Sequence, residues 1–244
     1  MESKTSRPRI SVIIPAANEE KFLPLAFASL EKQTFPRRDF EIIVSVNGSR
    51  DHTFEYAKAH ADGVEYSESP LTPALARNRG AGIAKGDIFV FLDADSTLSP
   101  NTLSRIAEVC GGDVAGSVWC APDTRRLSAQ LFMTMKNVAH VTRFHNGVGG
   151  GLFFVDARAF RRTGGFSSTK RVSEFQELVA RLKQDGVRYT FIADAIATTS
   201  TRRFEKEGML KTIWFWVRWW FSWKMTFLFG RDTKEAKVAE EYHQ

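Results

Sequence analysis

The sequence predicts an α/β domain on a mostly parallel sheet, and three observations predict it. Short runs rich in β-branched and aromatic residues recur at 10–15 (ISVIIP), 40–46 (FEIIVSV) and 88–92 (IFVFL), too apolar for strands that keep one face in water. Stretches of helical pattern separate them, which is the spacing of βαβ units. Composition leaves room for a core: 244 residues, 43% hydrophobic and 12% aromatic, exclude global disorder.

Taken in order, residues 10–15 are the first strand and Asn18-Glu19-Glu20 the turn behind it. Pro24 suits the first turn of a helix and not its interior, so the first helix spans 24–32. The second strand, 40–46, is closed by Asn47-Gly48-Ser49, a strong turn signal. A helix over 51–61 sets Asp51 at its positive end. A short strand at 64–67 and a helix rich in small residues at 73–85 follow, the latter ended by Gly86-Asp87. Residues 88–92 are the fourth strand, bounded by Asp93-Ala94-Asp95. The second half is less regular: a strand at 113–120, a long, partly helical stretch at 127–144, a glycine-rich stretch at 147–151, a strand at 152–155, helices at 157–163 and 173–184, and a strand at 189–193. No proline- or serine-rich linker and no internal repeat interrupts the chain, so one continuous domain is expected.

In such sheets ligands bind outside the carboxyl ends of the strands. That rule points to 15–19, 47–49 and 93–95. Asp93 and Asp95 project to the same side of an extended chain, and two hard oxygen ligands there suit Mg2+ or Mn2+ with positions left open for a nucleotide diphosphate. Taken alone, the triplet fits equally well a strand end followed by a turn cap. Other chemistries lack their signatures. There is no G-x-x-x-x-G-K-[ST] loop, Pro15-Ala16-Ala17-Asn18 stands where a dinucleotide fingerprint would begin, and no G-x-S-x-G elbow occurs. Gly149-Gly150-Gly151 reads as a loop rather than a phosphate nest. Cys110 and Cys120 form neither a disulfide framework nor a zinc site, and two free thiols in a reducing compartment are expected. His140 and His145 are five residues apart, a spacing that does not place two ligands on one helical face.

IPAANEE (14–20), VNGSRDHT (46–53), ARNRGAGIAKGDIFVFLDADS (76–96), the glycines near Gly150 and RRTGGF (161–166) occur in one order. Together they resemble the family 2 glycosyltransferases with the A-type nucleotide-sugar fold, over residues 10–203. The resemblance implies a three-layer α/β/α sandwich, a nucleotide-binding half at 10–96 and an acceptor half at 97–205. It also implies an inverting transferase that uses a divalent metal and a nucleotide-diphosphate sugar, with a hydroxyl acceptor and no nucleic acid as partner. Carried over residue by residue, Pro15 and Ala17 line the nucleoside pocket with Glu19 nearby. Asn47 stands where the family usually has an aspartate contacting the base, and its amide both donates and accepts. Arg77 meets the diphosphate, although by itself it equally fits a solvated helix face. Asp93 contacts ribose or metal, and Asp95 ligates the metal.

Two departures matter. Where the family opens a helix with a Glu-Asp pair, this chain has Glu174-Phe175. A phenyl ring takes no proton, so the general base falls to Glu174, with Glu177 in reserve; the alternative for Glu174 is a charge that complements the helix N-terminus. Thr199-Ser200 stands where many relatives have a metal-assisting histidine. In the following TSTRRF, Arg202 and Arg203 either clamp the leaving diphosphate or face anionic lipid.

The chain carries 34 Lys+Arg against 28 Asp+Glu, a net charge of +6. Its N-terminus, 1–9, is a flexible basic stretch without the apolar core of a secretory signal, and no window of ~18 uncharged apolar residues exists to span a bilayer. Five of the six tryptophans fall between Trp214 and Trp223. A segment so aromatic at 206–230, with Lys211, Arg218 and Lys224, fits a helix lying in a membrane interface; packing on the core or on a second copy is the alternative. Residues 231–244 read as a loose charged tail. The expectation is therefore a cytoplasmic transferase, peripheral on the inner face of the membrane through 211–229, with an acceptor that is lipid-linked. Two alternatives stand beside it. One is a membrane-docked binding module that has lost its base at Phe175. The other is a nucleotidyltransferase, disfavoured because no early glycine-rich, arginine-containing loop is present to hold a triphosphate.

Overall fold

The structure, a computed structural model, describes residues 8–141, 151–167 and 174–202. The segment 206–230, the tail 231–244, Arg203, His145, Gly149 and Gly150 lie outside the described residues. The elements run β1 (Ile10–Ala16), α1 (Leu23–Glu31), β2 (Phe40–Asn47), α2 (Thr53–His60), β3 (Gly63–Ser67), α3 (Pro73–Ile83), β4 (Ile88–Leu92), β5 (Ser96–Leu98), α4 (Thr102–Val109), β6 (Val114–Pro122), α5 (Leu127–Val141), β7 (Leu152–Asp156), α6 (Ala157–Arg162), α7 (Glu174–Gln184) and β8 (Arg188–Thr199).

The strands form one sheet in the order β3-β2-β1-β4-β7-β6-β8-β5. β1, β2, β3 and β4 pair in parallel, as do β6 and β8. β7 is antiparallel to both β4 and β6, and β5 is antiparallel to β8. Alternate residues of each buried strand serve opposite faces. Ile10, Val12 and Ile14 of β1 join Ile88, Val90 and Leu92 of β4 in a core under α1 and α4 (Leu23, Phe27, Leu103, Ile106). Ile13 of β1 joins Phe89 and Phe91 of β4 in a second core under α3, α6 and α7 (Ala81, Phe160, Leu178, Leu182). Helices thus cover both faces in three layers, which is why these strands read as continuous apolar runs.

Pro24 lies in the first turn of α1, and Thr72 caps α3 by accepting the Leu75 N–H at 3.3 Å. Two elements were not predicted. α4 follows Asn101 and buries Leu103, Ile106 and Ala107 on one face, a helical spacing present in the sequence. β5 has three residues and pairs with the far end of β8. β8 runs well past the expected 189–193 because it contains a bulge: Val118 pairs with Ile192 but Trp119 with Ile196. The three residues left over on β8 break the two-residue alternation that marks a strand. Among the described residues no helix is long and apolar enough to cross a membrane.

α3 lies close on the sheet. A Cβ on Gly80 would stand 2.6 Å from the Ile13 side chain, so only glycine permits the approach. Arg77, one turn earlier on the same face, is carried under the helix and is 5% exposed.

Candidate functional site

The site lies at the carboxyl ends of β1, β2 and β4. There the loop after β1 is tied to the loop after β2. Asn18, at φ 56°, accepts the Arg50 N–H on its side chain at 2.9 Å and donates its own N–H to Ser49 Oγ at 3.1 Å; asparagine tolerates this left-handed conformation. The Glu19 N–H reaches Thr53 Oγ1 at 2.8 Å and the Glu20 N–H reaches Asp51 Oδ2 at 3.2 Å. Burial disfavours the charge of Asp51. The Thr53 hydroxyl at 2.6 Å and the N–H groups of Glu20 and Thr53 outweigh it, so its carboxyl lies below the usual range. Pro15 is half-buried and Ala17 exposed at the rim of this platform.

Asn47, set against a base edge by the resemblance, is engaged within the fold. Its side chain is buried, its Nδ2 donates to Leu71 O at 2.9 Å, and its Oδ1 accepts the Leu71 N–H. The amide holds the connection between β3 and α3.

Arg77 joins two predicted site residues that are 81 positions apart in the chain. Its Nη2 donates to Asp93 Oδ1 at 2.9 Å and its Nη1 to Glu174 Oε1. Burial opposes the guanidinium's charge, but the two carboxylates raise its proton affinity further than burial lowers it. The same guanidinium lies 4.6 Å from the centre of the Phe175 ring and 5.7 Å from that of Phe166. Phe175 meets Phe166 edge-to-face at 5.1 Å and Phe153 at 5.7 Å. Such contacts add about 0.5–1.5 kcal/mol each beyond burial and pin the start of α7. The residue that replaces the family's second acid therefore packs over Arg77 and fixes Glu174 beside it. Asn78, missed in the sequence, staples the same region: its Nδ2 donates to Phe166 O at 2.8 Å and its Oδ1 accepts the Phe166 N–H at 2.9 Å. Arg77 thus faces the predicted base and the first aspartate of the triplet from beneath, where the sequence set it against a diphosphate.

Asp95 belongs to a second cluster. Its carbonyl accepts the Ser200 N–H at 3.1 Å, and its Oδ2 is 3.3 Å from Arg202 Nη2, which also donates to Glu19 Oε1. Arg202 lies over the Phe22 ring at 4.4 Å and is exposed. Gly151 completes the rim: its carbonyl accepts the Asp93 N–H at 3.1 Å, and its N–H donates to Asp93 Oδ2 at 3.3 Å. Glu177 is elsewhere, held by Arg181 at 2.6 Å and 2.9 Å, and shares none of these contacts.

Lys136 of α5 was also missed. Burial lowers its proton affinity, while Cys120 and Asp93 act the other way, so a cation from α5 feels the triplet's charge. Its signal was faint, a lysine flanking the stripe Ala129, Met133 and Asn137. Cys110 and Cys120 are free and buried. Burial raises both thiols, that of Cys110 to about 12.

Among the described residues no group of three or more His, Cys, Asp or Glu side chains could hold a metal. The residues present nevertheless fit a hard divalent ion whose remaining ligands are diphosphate oxygens and water. Asp93 and Asp95 supply carboxylate oxygens, and Glu19 Oε2 is buried with no hydrogen-bond partner. The Arg202 guanidinium that bridges Glu19 and Asp95 marks the place as one that attracts positive charge.

The profile described as "Glycosyl transferase family 2" matches residues 11–207. The poly(ribitol-phosphate) beta-N-acetylglucosaminyltransferase TarS of Staphylococcus aureus is 31% identical over 104 residues, which are 41% of this chain and 18% of that protein. The chain therefore matches about a fifth of that relative's length. Two solved structures share the fold. S. aureus TarS 1-349 in complex with UDP-GlcNAc gives a TM-score of 0.63 at 20% identity, over 78% of this chain and 58% of that one. A mannosyltransferase from Pyrobaculum calidifontis, in complex with GDP-Man and Mn2+, gives 0.65 at 22% identity, over 79% and 56%.

Proposed function

Because the chain belongs to glycosyl transferase family 2, we propose that it transfers a sugar, with inversion, from a nucleotide-diphosphate sugar to an acceptor hydroxyl. The observation that carries this reading is that Arg77 joins Asp93 and Glu174 at the carboxyl edge of the sheet, two residues before Asp95, which Arg202 meets at 3.3 Å. Solved neighbours with UDP-GlcNAc and with GDP-Man and Mn2+ support a nucleotide-sugar donor.

In the proposed reaction the platform of Pro15, Ala17 and Glu19 receives the nucleoside, with Asn47 holding its wall. Glu174, oriented by Arg77, takes the proton of the acceptor hydroxyl. The oxygen attacks the anomeric carbon from the face opposite the diphosphate, and the bond from that carbon to the phosphate oxygen breaks with its electron pair going to the diphosphate. Asp93 and Asp95 would hold Mg2+ or Mn2+, which supplies positive charge against the leaving diphosphate. Arg202, with Arg203 beside it in sequence, supplies further positive charge there. Glu177, committed to Arg181, serves the helix instead. A lipid-linked acceptor, and attachment through 211–229 to the inner face of the membrane, belong to the same proposal and rest on the composition of that segment.

Calorimetry with UDP, GDP, TDP and CDP, each with Mn2+ and with EDTA, tests the donor site. One nucleotide should bind wild type, and that binding should be lost both in EDTA and in Asp95→Ala. No binding under any condition would remove the reading. Phe175 supports a second one, a binding module without turnover; nucleotide-sugar binding with no transfer to any hydroxyl acceptor would favour it.

A further inference from the structure

α5 has two unlike faces. Toward the sheet it buries Ala129, Met133 and Asn137, whose amide accepts the Cys120 N–H at 3.0 Å and donates to Cys120 O at 2.8 Å. Away from it, Leu127 is 73% exposed, Leu131 57%, Met135 70% and Val138 50%. These are four of the eight large apolar side chains exposed among the described residues. At ~100° and ~1.5 Å per residue they share an arc of about 80° over a length of about 16 Å. Exposed apolar residues are ordinarily scattered singly, and a contiguous stripe marks a contact surface.

Charge identifies the partner. From 124 to 155 the sequence has no acidic residue, whereas Arg125 and Arg126 stand exposed at the start of the helix. The described chain ends at Arg202, and that end is tied to the same place: the Thr201 N–H and Oγ1 donate to Asp123 Oδ1 at 2.9 Å and 2.6 Å. The sequence then continues into 211–229, which carries nine aromatics, Lys211, Arg218 and Lys224, and no acid. Two basic stretches gain no charge complementarity from each other. An anionic lipid surface complements both.

We infer that the outer face of α5, through Leu127, Leu131 and Met135, docks on an anionic lipid surface, with Arg125 and Arg126 reaching the headgroups. The stripe inserts side chains and the arginines supply the preference for negative lipid. The inference holds whether or not the acceptor is lipid-linked.

The test is sedimentation of the full chain with vesicles of phosphatidylglycerol and phosphatidylcholine, and with phosphatidylcholine alone. Leu131→Glu/Met135→Glu should lower the partition coefficient at least about tenfold, and Arg125→Gln/Arg126→Gln should abolish the preference for phosphatidylglycerol. Both pairs are exposed, so melting followed by circular dichroism should match wild type; should the glutamate pair melt early, Leu131→Gln/Met135→Gln takes its place. Undiminished partition of a folded α5 variant would assign binding to other residues and overturn the inference. So would failure of wild type to sediment with the anionic vesicles, or a wild-type dimer in buffer that the same variant splits. Partition is read without any nucleotide, so it stands apart from the outcome for the donor site.

Discussion

Two arginines hold the candidate site, and they do so under opposite conditions. Arg77 is buried, with Asp93 at 2.9 Å, Glu174 beside it and aromatic rings over it. Arg202 is exposed, with Asp95 at 3.3 Å and one ring beneath. A charge removed from water must keep its partners, whereas an exposed one exchanges them at small cost. The first pair of contacts is therefore framework and the second is open to replacement by a ligand. On the proposed function, one arginine sets where the carboxylates stand, and the other keeps the place of the diphosphate.

The comparison breaks first at Asp95. Asp95→Ala should lower transfer about 10²–10³-fold with little change in melting temperature; a turnover near wild type would show that the second cluster is not catalytic. Next in size is Arg77→Met, which takes the buried cation away from both Glu174 and Asp93. Removal of one partner of a buried pair costs about 3–5 kcal/mol, and the lower end applies because the Asp93 side chain is 35% exposed. At about 2–4 °C per kcal/mol for a chain of this size, melting should fall about 6–12 °C. An unchanged melting temperature would contradict the framework role. Arg202→Gln should lower melting less than Arg77→Met, because Arg202 is 43% exposed although its partner Glu19 is 13% exposed, and should weaken diphosphate affinity about tenfold by calorimetry. Loss of stability without loss of affinity would exchange the two roles.

The smallest effect concerns the platform. Asp51 has a folded pKa below its ordinary 3.8, so near that pH the unfolded chain binds more protons. Its contribution is present above about 3.8, and falls away as pH drops through the folded value. Melting curves between pH 3 and 5 should therefore be steeper in wild type than in Asp51→Asn. Parallel curves would show that the loop contacts add nothing to the acid limb.

Much of the frame was readable because burial on two faces leaves a mark in one dimension. The runs at 10–15, 40–46 and 88–92 are apolar throughout since helices cover both sides, and the acids at 93 and 95 follow from where the fourth run stops. β8 was cut short because a bulge destroys its period. The roles of Arg77, Asn78 and Asn47 were not legible, because each depends on what another element brings to it. Arg77 in a helix of small residues looks solvated until Gly80 lets that helix settle on Ile13. Asn47 meets Leu71 only once β2 and β3 lie side by side. Lys136 needed the packing of α5 on β6 to matter.

The contact between Arg202 and Glu19 spans 183 positions, and its consequence is temporal. During synthesis the acids at 19, 93 and 95 leave the ribosome long before the cation that balances two of them, and contacts of such separation form late in folding. A shortened chain that ends before 202 would keep Asp93 paired with Arg77 but leave Glu19 and Asp95 without the cation they share.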